Sequence, residues 1–204
     1  MVAIVDYGVG NLFSLKCSLE AIGAEAVVTG DEEVIKNADR VILPGVGAFE
    51  DAAKKLRSSG LADVVKELAK AGKPILGICL GMQLLFEKSY EFGEHEGLGL
   101  IKGSIRPIEE VIPASNKIPQ IGWNALRFRK ESDLFKNIKN GDCVYFVHSY
   151  YAADCDEAVI ADCEYGAYLT AAVQSKNVYG CQFHPEKSGK VGLDILRAFC
   201  FPEG

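Results

Sequence analysis

Short, predominantly apolar runs alternate with longer helical patterns through the first half of the chain, and this alternation constrains the fold more than any other feature. The strand-like runs are residues 2–6, 26–29, 40–43 and 74–78. Helical patterns cover residues 12–22, 49–58 and 61–71, and another begins directly at Leu80. A strand without a polar face must be buried on both sides, as in a parallel sheet that is covered by helices.

The rhythm changes near Leu100, and strand-like segments dominate the second half. These segments are residues 101–108, 120–128, 143–152, 159–163, 170–175 and 178–183. The last helical pattern is amphipathic and covers residues 193–201. No internal repeat or long linker interrupts residues 1–204. We therefore predict one α/β domain with a mixed central sheet, flanking helices and a β-rich second half.

The charge of the chain excludes some classes of partner. The formal net charge is −6, and no block of lysine and arginine occurs in the sequence. Binding to nucleic-acid phosphates or to acidic lipids requires clustered positive charge. We therefore expect neither a nucleic acid nor a membrane as a partner.

The seven cysteines predict a compartment rather than a disulfide framework. Their number is odd and no two form a C-x-x-C pair, whereas a small disulfide-stabilised secreted domain favours an even set. The first residues lack the basic segment and cleavage site of a signal peptide, and no apolar run approaches the roughly 18 residues of a membrane helix. We expect the chain to work in the reducing cytoplasm.

The pentapeptide Gly77-Ile78-Cys79-Leu80-Gly81 lies where a buried strand is predicted to end and a helix to begin. The pattern is typical of a nucleophile elbow, in which a tight turn exposes the central side chain and glycines avoid collisions. A helix N-terminus also favours the thiolate form of a cysteine, which is the form that attacks carbonyls. The alternative is that Cys79 is a small buried hydrophobic residue, the commoner fate of a free cysteine.

The tripeptide His184-Pro185-Glu186 follows a predicted strand and supplies what a thiol nucleophile lacks. Proline favours an extended conformation in the residue before it, and in an extended chain residues two apart point to one side. Glu186 is therefore placed to orient the His184 imidazole and to stabilise its protonated form. Alone, the tripeptide would more often be a surface turn with an incidental ion pair, but its combination with the elbow favours catalysis.

The segment Pro44-Gly45-Val46-Gly47 follows the predicted strand at residues 40–43. Glycines at the carboxyl end of a parallel strand allow backbone N–H groups to point into the crevice where such sheets bind ligands. Amides near Val46 and Gly47, with the N–H of Leu80, are candidates for an oxyanion hole. In isolation, an ordinary strand-to-helix turn explains the segment better.

Other motifs carry less weight. The loop Gly8-Val9-Gly10 lacks the third glycine of a dinucleotide-binding fingerprint, because Phe13 stands there, so we do not expect NAD. Cys181 and His184 are spaced to face opposite ways on a strand, which does not resemble a zinc pair. We interpret His95 as a solvated loop residue and His148 as a strand-end histidine, for which a direct chemical role is the less favoured alternative. We expect neither a cofactor nor a metal.

Taken together, the elbow, the glycine turn and the late His-Pro-Glu resemble the triad-type, or class I, glutamine amidotransferases over nearly the whole chain. Further segments are similar to one member that passes ammonia to a separate cyclase subunit. They are residues 6–11, 44–49, 118–124, 145–150 and 182–188.

The resemblance implies a role for each matching residue. Cys79 would attack the carboxamide of glutamine, His184 would protonate the departing ammonia, and Glu186 would complete the triad. The positions that would hold the α-amino and carboxylate groups of glutamine are Gly47, Gln83, Ser149 and Tyr150. The partner would be a (β/α)8-barrel cyclase in a heterodimer, and the positions on or near that interface are Asn11, Trp123 and Lys187.

Three alternatives remain open from the sequence. One is an amidotransferase subunit of another pathway, such as anthranilate or pyridoxal phosphate synthesis, with the same triad and a different acceptor. Another is a stand-alone thiol hydrolase of γ-glutamyl compounds, active without a partner. The third is a non-catalytic binding subunit, in which a complete triad would have no use.

Overall fold

A central sheet and two smaller sheets form the framework of the protein. The computed structural model describes residues 1–203, and Gly204, the last residue of the predicted domain, lies outside the described residues. The central sheet has eight strands in the spatial order β2 (Ala26–Thr29), β1 (Val2–Val5), β3 (Arg40–Leu43), β4 (Ile75–Ile78), β14 (Val178–Cys181), β13 (Tyr168–Ser175), β12 (Val159–Glu164) and β9 (Arg127–Phe128).

The smaller sheets consist of strands from the middle of the chain. One pairs β10 (Cys143–His148) with β8 (Gln120–Ala125) in antiparallel fashion. The other has the spatial order β11 (Tyr150–Ala153), β7 (Ile101–Pro107), β5 (Phe86–Ser89) and β6 (His95–Glu96).

The central sheet changes character at its middle. Strands β2, β1, β3, β4 and β14 are mutually parallel, whereas β13, β12 and β9 continue the sheet in antiparallel pairing. Because β4 and β14 are parallel neighbours, with Ile78 opposite Cys181, the residues that follow each strand emerge at the same edge. This edge is the usual ligand-binding edge of such sheets.

Helices cover both faces of the sheet. They are α1 (Leu12–Ala21), α2 (Glu32–Asn37), α3 (Phe49–Ser58), α4 (Leu61–Lys70), α5 (Leu80–Leu84) and α6 (Gly189–Cys200). Alternate residues of β1 belong to two separate hydrophobic clusters, since Ala3 packs with residues of α3 and α4 while Ile4 packs with residues of α1 and α6. An apolar strand is thus buried on both sides, as its sequence predicted. No helix among residues 1–203 has the length and apolar character needed to cross a membrane.

The prediction of a mixed sheet with flanking helices and a β-rich second half is confirmed. Two long predicted strands are wrong in detail, because residues 143–152 divide at Ser149 into β10 and β11, which belong to different sheets. Residues 120–128 likewise divide at Leu126. Side-chain periodicity does not show where a strand leaves one sheet and enters another.

Helix α2 and strands β5 and β6 lay outside the sequence prediction. Helix α2 is only six residues long and is fixed by its cap, because the Asp31 carboxylate accepts hydrogen bonds from the backbone N–H groups of Glu33 and Val34. The interpretation of His95 as a loop residue is wrong, since it pairs with Ser89 in strand β6 and its side chain is 19% exposed.

Candidate active site

Cys79 occupies a tight turn between β4 and α5. Its backbone has φ 54° and ψ −112°, a strained conformation for a residue with a side chain. The Cys79 N–H donates to the carbonyl of Cys181 on the neighbouring strand at 2.7 Å. A Cβ on Gly81 would lie 1.9 Å from the carbonyl oxygen of Leu43, so only glycine allows this turn to pack against β3. The elbow predicted from the pentapeptide is present, although its helix has only five residues.

His184 lies beyond the end of β14 and close to Cys79. Its backbone N–H donates to the carbonyl of Tyr145 on β10 at 2.9 Å. Its Nδ1–H donates to Oε1 of Glu186 at 2.8 Å, and both side chains are buried. The expected pairing is present, but Pro185–Lys187 form a short 3-10 helix rather than an extended chain. The tight turn, not strand alternation, brings the carboxylate to the imidazole.

The surroundings of His184 favour its charged form. Burial alone lowers the pKa of a histidine, but here the hydrogen bonds and negative charges of Cys79 and Glu186 outweigh burial and raise the pKa of His184 to about 9. Within residues 1–203, Oε2 of Glu186 has no hydrogen-bond partner although it is buried. His184 therefore lies between Cys79 and Glu186 and contacts both of them.

A cavity of about 450 Å³ opens over Cys79 and His184. This volume is within the range of small-molecule sites. Most of the residues that the sequence suggested for chemistry or substrate binding line it, namely Val46, Gly47, Cys79, Leu80, Gln83, Ser149, Tyr150 and His184. Lys187, which was suggested for the partner interface, lines it as well. Residues from distant parts of the chain thus meet around the thiol.

Four cavity-lining residues were not among the site residues proposed from the sequence: Glu91, Phe92, Val147 and His148. Glu91 and Phe92 lie in the β5–β6 connection, where the Glu91 carboxylate accepts a hydrogen bond from the N–H of Phe49 at 2.6 Å. Burial raises the pKa of Glu91. Because those two strands were not predicted, no signal in the sequence placed this connection over the cavity.

His148 is a second buried histidine at the same cavity. Its Nδ1 lies 2.7 Å from the carbonyl oxygen of Tyr150, and its Nε2 lies 3.0 Å from the side-chain oxygen Oε1 of Gln120. Burial is the main reason that the pKa of His148 falls to about 4, and the nearby charge of His184 lowers it further. His148 is therefore a neutral structural donor at physiological pH.

The glycine turn after β3 packs directly on the elbow. Gly47 has φ +94°, a left-handed conformation that favours glycine. The Tyr7 hydroxyl donates to the carbonyl of Pro44 at 2.7 Å and holds the start of the turn. Leu80 begins α5, and the first N–H groups of a helix have no partner within it. Both predicted sources of oxyanion donors therefore border the cavity.

The three residues suggested for a partner interface lie outside or at the rim of the cavity. Trp123 and Ile121 project from one face of β8 and are 55% and 59% exposed. The Trp123 ring makes an edge contact with Tyr145, at 6.0 Å between ring centroids. Lys187 lines the cavity, and Asn11 precedes α1 without a capping side-chain bond.

A second cavity of about 620 Å³ lies at the β13–β14 turn, away from these groups. Its cysteine, Cys155, is held as a thiol because burial raises its pKa to about 11. None of the three histidines is among its lining residues. Across residues 1–203, no group of three or more histidine, cysteine, aspartate or glutamate side chains is arranged to hold a metal ion. The residues that the sequence proposed for chemistry thus line the cavity over Cys79 and not this second cavity.

A family model for class I glutamine amidotransferases matches residues 3–202. The chain therefore belongs to the class I glutamine amidotransferases. Within that family, imidazole glycerol phosphate synthase subunit HisH of Caldanaerobacter subterraneus subsp. tengcongensis is 50% identical, over 98% of this chain and 97% of the relative. The protein of the same name from Aquifex aeolicus is also 50% identical, over 96% of this chain and 94% of the relative.

Solved structures agree on the fold. A crystal structure of a glutamine amidotransferase superposes with a TM-score of 0.75 at 20% identity, covering 97% of this chain and 96% of the other. The PurLQS structure from Thermotoga maritima gives a TM-score of 0.74 at 22% identity, with the same coverage of 97% and 96%.

Proposed function

We propose that this chain is the glutaminase subunit of an imidazole glycerol phosphate synthase in histidine biosynthesis. It hydrolyses glutamine to glutamate and ammonia and delivers the ammonia to a (β/α)8-barrel cyclase subunit in a heterodimer. The cyclase adds the ammonia to a phosphoribulosyl-formimino aminoimidazole carboxamide ribonucleotide, giving imidazole glycerol phosphate and aminoimidazole carboxamide ribotide. The observation that carries the proposal is the buried Cys79–His184–Glu186 arrangement, in a protein that is 50% identical in sequence to HisH subunits.

The chemistry follows from the charges in the site. The Cys79 thiolate attacks the carboxamide carbon of glutamine, and a tetrahedral oxyanion forms. His184 gives its proton to the amide nitrogen, ammonia leaves, and a glutamyl thioester remains. With His184 now neutral, it accepts a proton from water as the water attacks the thioester, and the thiolate and glutamate are released. In both steps Glu186 holds the imidazole in place by accepting a hydrogen bond from the Nδ1–H of His184.

The turn near Val46 and Gly47, with the N–H of Leu80, is assigned to the oxyanion. Donors that are fixed before the reaction stabilise the developing charge without reorganisation. The glycine turn also offers a control point, because glycine tolerates both signs of φ and the Val46–Gly47 peptide is able to turn over. Partner binding would favour the orientation that points an N–H at the oxyanion.

Glutamine is held by Gly47, Gln83, Ser149 and Tyr150, with Glu91 facing its α-ammonium group. The two hydrogens on the Gln83 nitrogen are used by the Tyr150 carbonyl, at 3.2 Å, and by Gln182, at 3.1 Å. Gln83 therefore offers the substrate its carbonyl oxygen, which accepts a hydrogen bond. It contacts an ammonium or amide group of glutamine rather than the carboxylate.

The cyclase is proposed to cover the exposed face of β8, where Trp123 and Ile121 lie, with Asn11 and Lys187 at or near its border. An exposed tryptophan beside another exposed apolar residue is typical of an interface anchor. Lys187 lines the cavity, so a partner that contacts Lys187 would also lie next to the site where ammonia is released. All seven cysteines are free, which suits the reducing cytoplasm.

A glutaminase assay tests the proposal on the complete heterodimer. Cys79→Ala is expected to abolish glutamate release, whereas Cys17→Ala, which removes an exposed thiol on α1, is the matched control and keeps full activity. The Cys79→Ala complex still forms imidazole glycerol phosphate when free ammonia is supplied, because the cyclase carries that chemistry. Glutamate release that survives Cys79→Ala would exclude Cys79 as the nucleophile.

Partner dependence separates the proposal from its rivals. We expect the rate of glutamate release to rise by at least roughly a hundredfold when the cyclase and its nucleotide are both bound. This is the effect on rate expected from gaining one oxyanion-hole donor. A free subunit already working at the rate of the complex would indicate a stand-alone hydrolase. Stimulation by a different acceptor enzyme would indicate an amidotransferase of another pathway.

A further inference from the structure

Gln182 connects the nucleophile to the substrate-binding side of the cavity. It lies between β14 and His184, its side chain is completely buried, and its backbone N–H donates to the carbonyl of Ala171. The side-chain nitrogen Nε2 is 3.8 Å from the sulfur of Cys79. The side-chain oxygen Oε1 accepts a hydrogen bond from Nε2 of Gln83 at 3.1 Å.

The direction of these hydrogen bonds is fixed by a backbone carbonyl. The Tyr150 carbonyl can only accept, so the Gln83 amide must turn its nitrogen towards it, at 3.2 Å. The same nitrogen faces Gln182, whose amide must therefore present its oxygen to Gln83. The nitrogen of Gln182 is left facing the sulfur, so the hydrogen-bond network fixes the orientation of both amides.

We infer that Gln182 donates a hydrogen bond to the Cys79 sulfur and so helps His184 to hold it as a thiolate. This inference rests on the proposed role of Cys79 as the nucleophile. Unlike His184, the Gln182 amide keeps its hydrogens through the whole reaction. It therefore faces the sulfur at every stage, including the thioester stage in which His184 is neutral, and it is already in place to stabilise the thiolate when the sulfur leaves.

The same geometry gives Gln182 a positioning effect on the substrate side. Its oxygen holds the Gln83 amide in the orientation that leaves the Gln83 carbonyl oxygen available to glutamine. Loss of Gln182 should then change both the reactivity of Cys79 and the affinity for glutamine. A residue that only filled space would change neither the pH dependence of the thiol nor its reaction with a small reagent.

The test is the pH dependence of Cys79 alkylation by iodoacetamide in the full chain. The Cys79 peptide is quantified by mass spectrometry between about pH 5 and pH 10. Gln182→Met removes the donor at nearly constant volume, and we expect the alkylation rate at neutral pH to fall roughly threefold to tenfold, with the midpoint moved to higher pH. Gln174→Met is the matched control, because Gln174 lies at the far end of β13 and bonds Ser132, and its profile should coincide with that of the unchanged chain.

A second variant keeps the test decisive if Gln182→Met disturbs folding. Gln182→Glu has the same shape and still accepts from Gln83, but an ionised carboxylate repels the thiolate instead of donating to it. We expect a still larger shift of the midpoint to high pH. If folded Gln182→Met and Gln182→Glu both kept the profile of the unchanged chain, the inference would be overturned.

The alkylation readout is independent of the proposed function. It needs neither glutamine nor the cyclase, so a chain with no glutaminase activity in the heterodimer would refute the function and leave this measurement interpretable. Conversely, full partner-dependent activity with an unaltered alkylation profile in both Gln182 variants would refute the inference alone.

Discussion

Two histidines border the same cavity, and their pKa values are shifted in opposite directions. His184 and His148 are both buried, yet the pKa of His184 is raised to about 9 and that of His148 is lowered to about 4. His184 faces the sulfur of Cys79 and the carboxylate of Glu186. His148 faces a backbone carbonyl and a side-chain amide, both neutral.

The difference shows that the partner, rather than depth of burial, decides the role of each ring. Desolvation disfavours the charged form of both histidines, and only an adjacent anion reverses it. The His184 ring therefore carries a proton on both nitrogens at neutral pH, while the His148 ring is neutral. The groups in contact with each imidazole therefore decide whether the ring is charged or neutral at neutral pH.

The most severe test of this contrast is His184→Gln. We expect glutamate release by the nucleotide-bound heterodimer to fall by at least roughly a thousandfold, since the leaving ammonia loses its proton donor. His95→Gln is the matched control, because His95 lies on β6 outside the cavity lining, and it should stay near full activity. A loss of less than tenfold for His184→Gln would remove His184 from the proton-transfer role.

A smaller effect is expected for Glu186→Gln. The amide oxygen can still accept from His184, so orientation is kept while the negative charge is lost. We expect a fall of roughly tenfold to a hundredfold, less than for His184→Gln, because the latter also removes the proton itself.

The pH profile of Glu186→Gln provides a second readout. The carboxylate is one cause of the raised pKa of His184, so its loss should move the alkaline limb of kcat/KM from near pH 9 to lower pH. Activity measured from pH 6 to pH 10 checks the shift. An unmoved limb would mean that another group titrates there.

His148→Gln should have a modest effect of a different kind. The variant keeps an amide donor near the Tyr150 carbonyl, and we expect KM for glutamine to rise roughly threefold to tenfold through the linked Gln83, with little change in kcat. Because His148 is neutral above about pH 4, the alkaline limb should stay in place. A moved limb would contradict the neutral assignment.

The smallest expected effects concern stability. His184, whose folded pKa is raised to about 9 from the ordinary value of 6.5, stabilises the fold fully below pH 6.5 and loses that contribution as the pH rises through 9. His148, with a folded pKa of about 4, contributes above pH 6.5 and loses its contribution as the pH falls towards 4. Urea unfolding at a series of pH values measures the free energy of unfolding of His184→Gln and His148→Gln. We expect His184→Gln to lose the decline at high pH and His148→Gln to lose the decline at low pH, each by on the order of 1–3 kcal/mol. Identical pH dependences in both variants would break the comparison.

The sequence predicted the parts of the fold that rest on local pattern. Strands β2 and β3 and helix α3 match the predicted residues, because continuous apolar runs and a strongly amphipathic helix carry strong signals. The division of residues 143–152 at Ser149 was not predictable, since the chain there changes sheets without changing its alternation. Strand β5 was not predicted because the charged residues Glu87 and Lys88 interrupt the apolar pattern that indicates a buried strand.

The site was predictable where its residues follow a strand end and not where they come from a connection. Cys79 and His184 each follow a parallel strand, so the sheet brings their elements to one edge. Glu91 reaches the cavity through a hairpin that the sequence did not reveal. Gln182 adjoins a predicted motif, but its contact with Cys79 depends on a buried side-chain network that spacing alone cannot describe.

The pairing of β4 with β14 also bears on how this family diverges. Cys79 and His184 are held at adjacent strand ends, whereas the chain between these strands supplies both small sheets and much of the antiparallel half of the central one. That intervening stretch also brings Gln83, Ser149 and Tyr150 to the cavity. Insertions in its loops away from the cavity leave the two strand ends in register, whereas changes beside these three residues reshape the pocket around Cys79.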